Sequence, residues 1–320
     1  MENIKFGYAC LNMTLGKQGG FRSMIKRTFE ANGKKMAGDL AIENILRLCG
    51  ILEWNEKVGI QVYRMSSDMI PWASEYQLQD LPQWNELRTL LEKAGGIARR
   101  SNQRISFHPG QFNCLSSLRE SVILNSIKDL RIHGEIMDIM GLPRTPYSAI
   151  NIHLGGAFGE RESAMERWCI AFERLPESVK TRLTVENDDK ASLFSVDDLF
   201  KGIHSKTGVP IVFDCHHWEV GPQQRDLPYE QAIKTAASTW PSGVRPLCHH
   251  SSSAKIFEGK NVALNAHADY IYSKFNSCGL EVDVEIEAKA KELAVMKYVS
   301  LWADQHKEDG LQVLPLKSAA

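Results

Sequence analysis

Ala149-Ile150-Asn151-Ile152-His153 and Arg182-Leu183-Thr184-Val185-Glu186 are two short, largely apolar runs, each ending on a side chain that can bind a metal ion. Runs of this length bounded by polar residues read as β-strands buried on both faces. Working outward, six more have the same form: residues 4–10, 60–65, 104–108, 210–214, 245–249 and 281–287. Amphipathic stretches lie between them. Residues 39–54 carry Leu40, Ile42, Ile45, Leu46, Leu48, Ile51 and Leu52 at helical spacing, and 121–140 repeat the pattern with Val122, Leu124, Ile127, Leu130, Ile132, Ile136 and Met140. Shorter helices are expected over 195–205, where Ser195 and Asp198 resemble a capping box, and over 229–238. Eight β-α units in succession predict an α/β chain with a parallel sheet, closed as a single (β/α)8 TIM barrel. The barrel accounts for residues 1–320 as one domain, with a short flexible tail from about residue 308.

The composition sets bounds on function. No apolar run approaches the roughly 18 residues a membrane span needs, and the first residues lack a signal peptide's hydrophobic stretch, so a cytoplasmic protein is expected. The seven cysteines are scattered, with no Cys-x-x-Cys pair, which argues against a disulfide scaffold or a structural zinc site. A net charge of −1 excludes a general polyanion binder, so any nucleic-acid contact must be local. Lys17, Arg22, Lys26, Arg27, Lys34 and Lys35 gather after the first strand, and Lys255 with Lys260 after the seventh. Both groups fall in connections longer than a barrel needs, 12–35 and 251–260, on the face where barrel enzymes carry their chemistry.

Six strands end at or just before a potential metal ligand: His108, His153, Glu186, Asp214, His249 and Glu287. Parallel barrel geometry brings all those ends to one mouth. His217, three residues past Asp214, and His267, before the last strand, complete the set. His216 and His250 adjoin ligands, but strand alternation turns neighbours away, so they are expected to be supporting residues. Imidazoles and carboxylates crowded together in this way need cations, and a nitrogen and oxygen donor set without thiolate suits Mn²⁺, Zn²⁺ or Fe²⁺. Eight ligands exceed one ion's needs. Two or three ions about 3.5–4 Å apart, bridged by Glu186, would activate a water for phosphodiester hydrolysis.

The local motifs resemble those of the UV damage endonuclease family, barrel repair enzymes related to endonuclease IV. The resemblance covers nearly the whole chain and rests on residues 7–16, 66–74, His108-Pro109-Gly110-Gln111-Phe112, His153-Leu154-Gly155-Gly156, Glu186-Asn187-Asp188, Asp214-Cys215-His216-His217 and Glu287-Ala288-Lys289. It implies a metal-dependent endodeoxyribonuclease that nicks damaged double-stranded DNA immediately 5′ to ultraviolet photoproducts and leaves a 3′-OH. It also implies manganese, with Zn²⁺ or Mg²⁺ as other occupants, and the ligand set His108, His153, Glu186, Asp214, His217, His249, His267 and Glu287. Among these His108, His153, Glu186, Asp214 and Glu287 are expected to be catalytic. Gln111 and Phe112 stand where the family probes the duplex, often with Tyr in place of Phe112, while Tyr8 and Asn12 are expected to line the lesion pocket. Gly155 and Gly156 are expected to let a phosphate or metal approach the backbone, or to form a tight turn. Two departures stand out: Leu247 occupies a position where the family commonly has a Lys that can be carboxylated near the metals, and Glu75 one where it usually has His. Monomeric action is expected. The alternatives are an abasic-site endonuclease on the same barrel and, more distantly, a metal-dependent sugar isomerase.

Overall fold

In a computed structural model, which describes residues 2–221, 227–308, 311–313 and 316–317, the eight expected strands all form. They are β1 (Glu2–Ala9), β2 (Val62–Met65), β3 (Arg104–Phe107), β4 (Ile150–His153), β5 (Leu183–Glu186), β6 (Ile211–Asp214), β7 (Leu247–His250) and β8 (Asp283–Ile286). Each pairs in parallel with the next, and β1 closes the ring by pairing with both β8 and β2. The fold is therefore a single (β/α)8 barrel.

A period of two separates the two faces of this sheet. Outward residues such as Tyr63, Ile105, Ile152, Val185, Phe213 and Val284 join one large core with the surrounding helices. Inward residues meet across the barrel. Arg104 and Asp283, on strands that are not neighbours, are both fully buried and lie 3.0 Å apart, and Arg245 Nε sits 3.1 Å from the other Asp283 oxygen. One layer higher, Ser106 of β3 donates to Glu285 of β8. Higher still stand His108 and Glu287. The interior is thus polar along one side from floor to mouth, while Val62, Val212 and Leu247 form a separate apolar cluster with Ala149 and Trp240.

Three expectations need correction. The first long connection is not structureless to residue 35, because helix α1 (Lys26–Val58) begins well before residue 39 and bends at Gly33, whose φ is 61°. Its first turns carry little apolar pattern, and Phe29 anchors them by stacking on Trp72 at 5.7 Å. The helix after Ser195 keeps its capping box but gives way at Phe200–His204 to a π turn before resuming at Ser205–Thr207. Part of the expected tail is a ninth strand, β9 (Leu311–Val313), paired with Glu2–Ile4 of β1, while 309–310, 314–315 and 318–320 lie outside the described residues. Helices α2 (Trp84–Arg100) and α3 (Glu120–Ile139) and the helix Tyr229–Ser238 complete much of the outer layer.

The floor of the barrel gives a direct test. Asp283→Ala removes the carboxylate that faces the fully buried Arg104 guanidinium and is expected to destabilise the fold by about 3–5 kcal/mol. Urea unfolding should show a lower midpoint at unchanged slope.

Candidate metal centre and nucleic-acid face

Glu186, at the end of β5 and 1% exposed, is the hub of the mouth. Its Oε1 lies 2.9 Å from His108 Nε2 and 2.7 Å from His153 Nε2, and its Oε2 lies 2.9 Å from His249 Nδ1. Asn151, one inward step lower on β4, donates to Oε2 at 2.6 Å and fixes the carboxylate plane. Two donor groups result, His108–His153–Glu186 and Glu186–Asp214–His249, each with its ligand atoms within 4.8 Å of one another and with Glu186 common to both. Either group could hold a divalent ion.

The other expected ligands border these groups. His217 Nδ1 is 3.4 Å from Asp214 Oδ2, its backbone N–H donates to Asp214 Oδ1 at 2.8 Å, and its ring lies 5.5 Å from that of His153. Glu287 Oε1 is 3.7 Å from His249 Nδ1, and His267 Nδ1 is 3.5 Å from Glu287 Oε2. His250 is turned outward, contacts Ser273 O at 3.1 Å, and is pulled down to about 4 by burial, hence neutral. His216, also buried, packs edge-on against His267. Alternation turns His250 away on β7, whereas His216 lies in a short helix, Cys215–Val220, where strand alternation does not apply.

Residues that the linear reading passed over do much of the positioning. Arg64 of β2 contacts Glu287 and lies 3.5 Å from Glu285, placing a permanent cation inside the cluster. Asp188 approaches His153 Nδ1 at 3.0 Å, and the Asn187 side chain bridges to the Asp214 backbone at 2.9 Å on both its amide atoms. One signal was available: in Arg104-x-Ser106-x-His108 and Asp283-x-Glu285-x-Glu287, every second strand residue is polar.

The electrostatics describe a site short of positive charge. Burial alone would raise the Glu186 carboxyl, but His153, His108 and His249 outweigh it and hold it well below the usual carboxylate range. Burial would lower His153 and His249, yet the facing carboxylates, Glu186 foremost, drive both well above the ordinary imidazole value. Protons and divalent ions would compete for these same nitrogens.

The proposed DNA-facing residues divide. Phe112 is 85% exposed on the loop after β3, and Gln111 beside it is also exposed. Phe112 lines a cavity of about 500 Å³ that reaches His108 and is lined also by Cys10, Asp68, Glu75 and Lys128. Tyr8 and Asn12 do not line a lesion pocket: both are buried, with Asn12 donating to the Tyr8 hydroxyl and that hydroxyl donating to Asn55 of α1, each at 2.8 Å. Tyr8 falls on the outward parity of β1, which points its ring at the helix layer. The basic cluster is largely neutralised internally, through Arg22–Glu43 at 2.6 Å, Lys34–Asp80 at 3.0 Å and Lys35–Asp39 at 3.1 Å. Lys260 is likewise held by Glu258 and Asp269, and the second connection contains a short helix, Ala254–Phe257. Gly155, at φ 99°, is required by its turn, where a Cβ would also meet Cys114 Sγ at 2.6 Å. Leu247 is buried beneath His249, and no helix is long and apolar enough to cross a membrane among the described residues.

Fold and mouth together define a (β/α)8 barrel whose strand ends gather side chains that could hold a divalent metal. The chain belongs to the family of UV-endonuclease UvdE, whose model matches residues 4–313. It is 33% identical to a UV-damage endonuclease of Schizosaccharomyces pombe over 97% of this chain, though it spans about half (52%) of that longer protein. It is 30% identical to a UV DNA damage endonuclease of Bacillus cereus (strain G9842), covering 92% of this chain and 93% of the relative. The crystal structure of SacUVDE superposes with a TM-score of 0.82 at 28% identity, over 95% of this chain and all (100%) of that one.

A pH dependence follows. Because the folded His153 and His249 bind protons more tightly than the unfolded value of about 6.5, their contribution is full below that pH and lost as pH rises through their raised values. Glu186 and Glu287 act oppositely, contributing above their unfolded values near 4.3 and losing that contribution on acidification. The metal-free protein should therefore melt at lower temperature as pH is raised above neutrality, and Mn²⁺ should restore the alkaline loss. Thermal unfolding with and without metal reads this directly.

Proposed function

We propose that this protein is a DNA repair endonuclease that nicks double-stranded DNA immediately 5′ to ultraviolet photoproducts, both pyrimidine dimers and 6-4 photoproducts, leaving a 3′-OH. The observation that carries the reading is the joint placement of a buried carboxylate shared by two donor groups and an exposed aromatic, Phe112, lining the adjoining cavity. The family membership and the names of the relatives favour the same substrate class.

His108, His153, Glu186, Asp214, His249 and Glu287 would hold two or three divalent ions, Mn²⁺ by preference and Zn²⁺ or Mg²⁺ otherwise, with His217 and His267 at the margin. The donor chemistry fits, since nitrogen and oxygen donors without thiolate suit such ions and the cluster lacks the positive charge they bring. Ions held there would activate water and stabilise charge on the phosphate and departing oxygen. The chain's own residues do the rest. Glu186, clamped by Asn151, keeps the two donor groups in fixed relation. Phe112 fills the space a displaced lesion vacates, and Gln111 offers an amide to the opposing strand. The protein acts as a cytoplasmic monomer at the nucleoid.

Irradiated supercoiled plasmid supplies the test. Nicking should depend on Mn²⁺, disappear in Glu186→Gln, and fall on the order of 10-fold in Phe112→Ala, the loss expected for one stacking contact. Activity that survives thorough chelation contradicts the reading. Stronger cutting of abasic plasmid in direct competition would favour the abasic-site alternative instead.

A further inference from the structure

We propose that Glu285 is a positioning residue that fixes the orientation of His249 and so sets the affinity of the Glu186–Asp214–His249 site for its ion. The inference rests on the metal-endonuclease reading and adds a residue to it.

Glu285 and His249 are directly opposite in the β7–β8 register, and both are essentially inaccessible, at 0% and 1%. His249 Nδ1 faces the metal side, 2.9 Å from Glu186 Oε2 and 3.7 Å from both Asp214 Oδ2 and Glu287 Oε1. Its other nitrogen, Nε2, lies 3.2 Å from Glu285 Oε2. Neither nitrogen makes an aligned hydrogen bond among the described residues, so what holds this ring is the carboxylate on each side. A carboxylate behind an imidazole keeps the N–H on its own side, leaves the lone pair toward the metal and strengthens the donor.

His153 is backed in the same manner, with the Asp188 carboxylate 3.0 Å from its Nδ1, whereas three others of the cluster are held differently. His108, His217 and His267 each direct Nδ1 at a backbone carbonyl, of Pro109 at 3.2 Å, Asn187 at 3.0 Å and Glu287 at 2.8 Å. His249 turns Nδ1 toward Glu186 instead, and among the described residues neither of its ring nitrogens is hydrogen-bonded to a backbone carbonyl. Two residues before it on the same strand, Leu247 packs into the apolar cluster with Val62 and Val212, so support cannot come from β7 itself. It comes across from β8.

Glu285 is itself locked. Ser106 donates to its Oε1, and Arg64 Nη1 lies 3.5 Å from its Oε2. A fourth carboxylate beside Glu186, Asp214 and Glu287 adds like-charge repulsion that an aliphatic side chain would avoid. Bracing His249 is the return for that cost.

The experiment is Mn²⁺ titration of metal-free full-length protein, with free Mn²⁺ counted by its paramagnetic resonance signal. In Glu285→Gln one class of site should weaken about 10–100-fold while the other is unchanged. Half-saturating Mn²⁺ for plasmid nicking should rise in proportion, with the rate at saturating Mn²⁺ preserved. Ser106→Ala, which loosens Glu285 but keeps its charge, should shift the same class less, and it decides the matter if Glu285→Gln does not fold. Unchanged Mn²⁺ binding, or equal weakening of both classes, overturns the role of Glu285 alone. A wild-type chain that takes up no Mn²⁺ overturns the metal reading and this inference together.

Discussion

Three imidazoles press on one buried carboxylate. Glu186 has lost almost all contact with water and is faced by His108, His153 and His249 within hydrogen-bonding distance. Such a group is stable only with positive charge around it. The facing imidazoles and the guanidinium of Arg64 lie where that charge is needed, and divalent ions would supply it. The layered polar interior, the register of the strands and the arrangement of the loops all make sense as means of assembling this one cluster.

A parallel barrel suits the task because its two faces are independent. The outward face buries aliphatic side chains against the helices and carries most of the apolar core, which frees the inward face to be polar along much of its length. From Arg104 and Asp283 at the floor, through Ser106 and Glu285, to His108 and Glu287 at the top, each inward step of β3 and β8 adds a charged or hydrogen-bonding group. The contacts are long-range in sequence and rigid in space, as a centre of fixed geometry requires.

The strands, their order and the His and carboxylate side chains at their ends were legible in the sequence, since short apolar runs between amphipathic helices admit few other folds. Residues inside the strands were harder to see. Arg64, Asn151 and Glu285 sit within segments read for their apolar character, and their roles depend on partners brought close only by closure of the barrel. Tyr8 and Asn12 went astray because likeness to a family carries a role without carrying the direction in which a side chain points; here Tyr8 points at Asn55 in α1. The start of α1 was missed because its first turns lack an apolar face and are anchored by one aromatic, Phe29.

Sharing of Glu186 between divalent ions is tested by crystals soaked with Mn²⁺ and measured at the manganese absorption edge. At least two strong anomalous peaks are expected, one on each side of the Glu186 carboxylate. Peaks confined to surface carboxylates, or a single peak bonded to Glu287 with Glu186 uninvolved, would contradict that sharing.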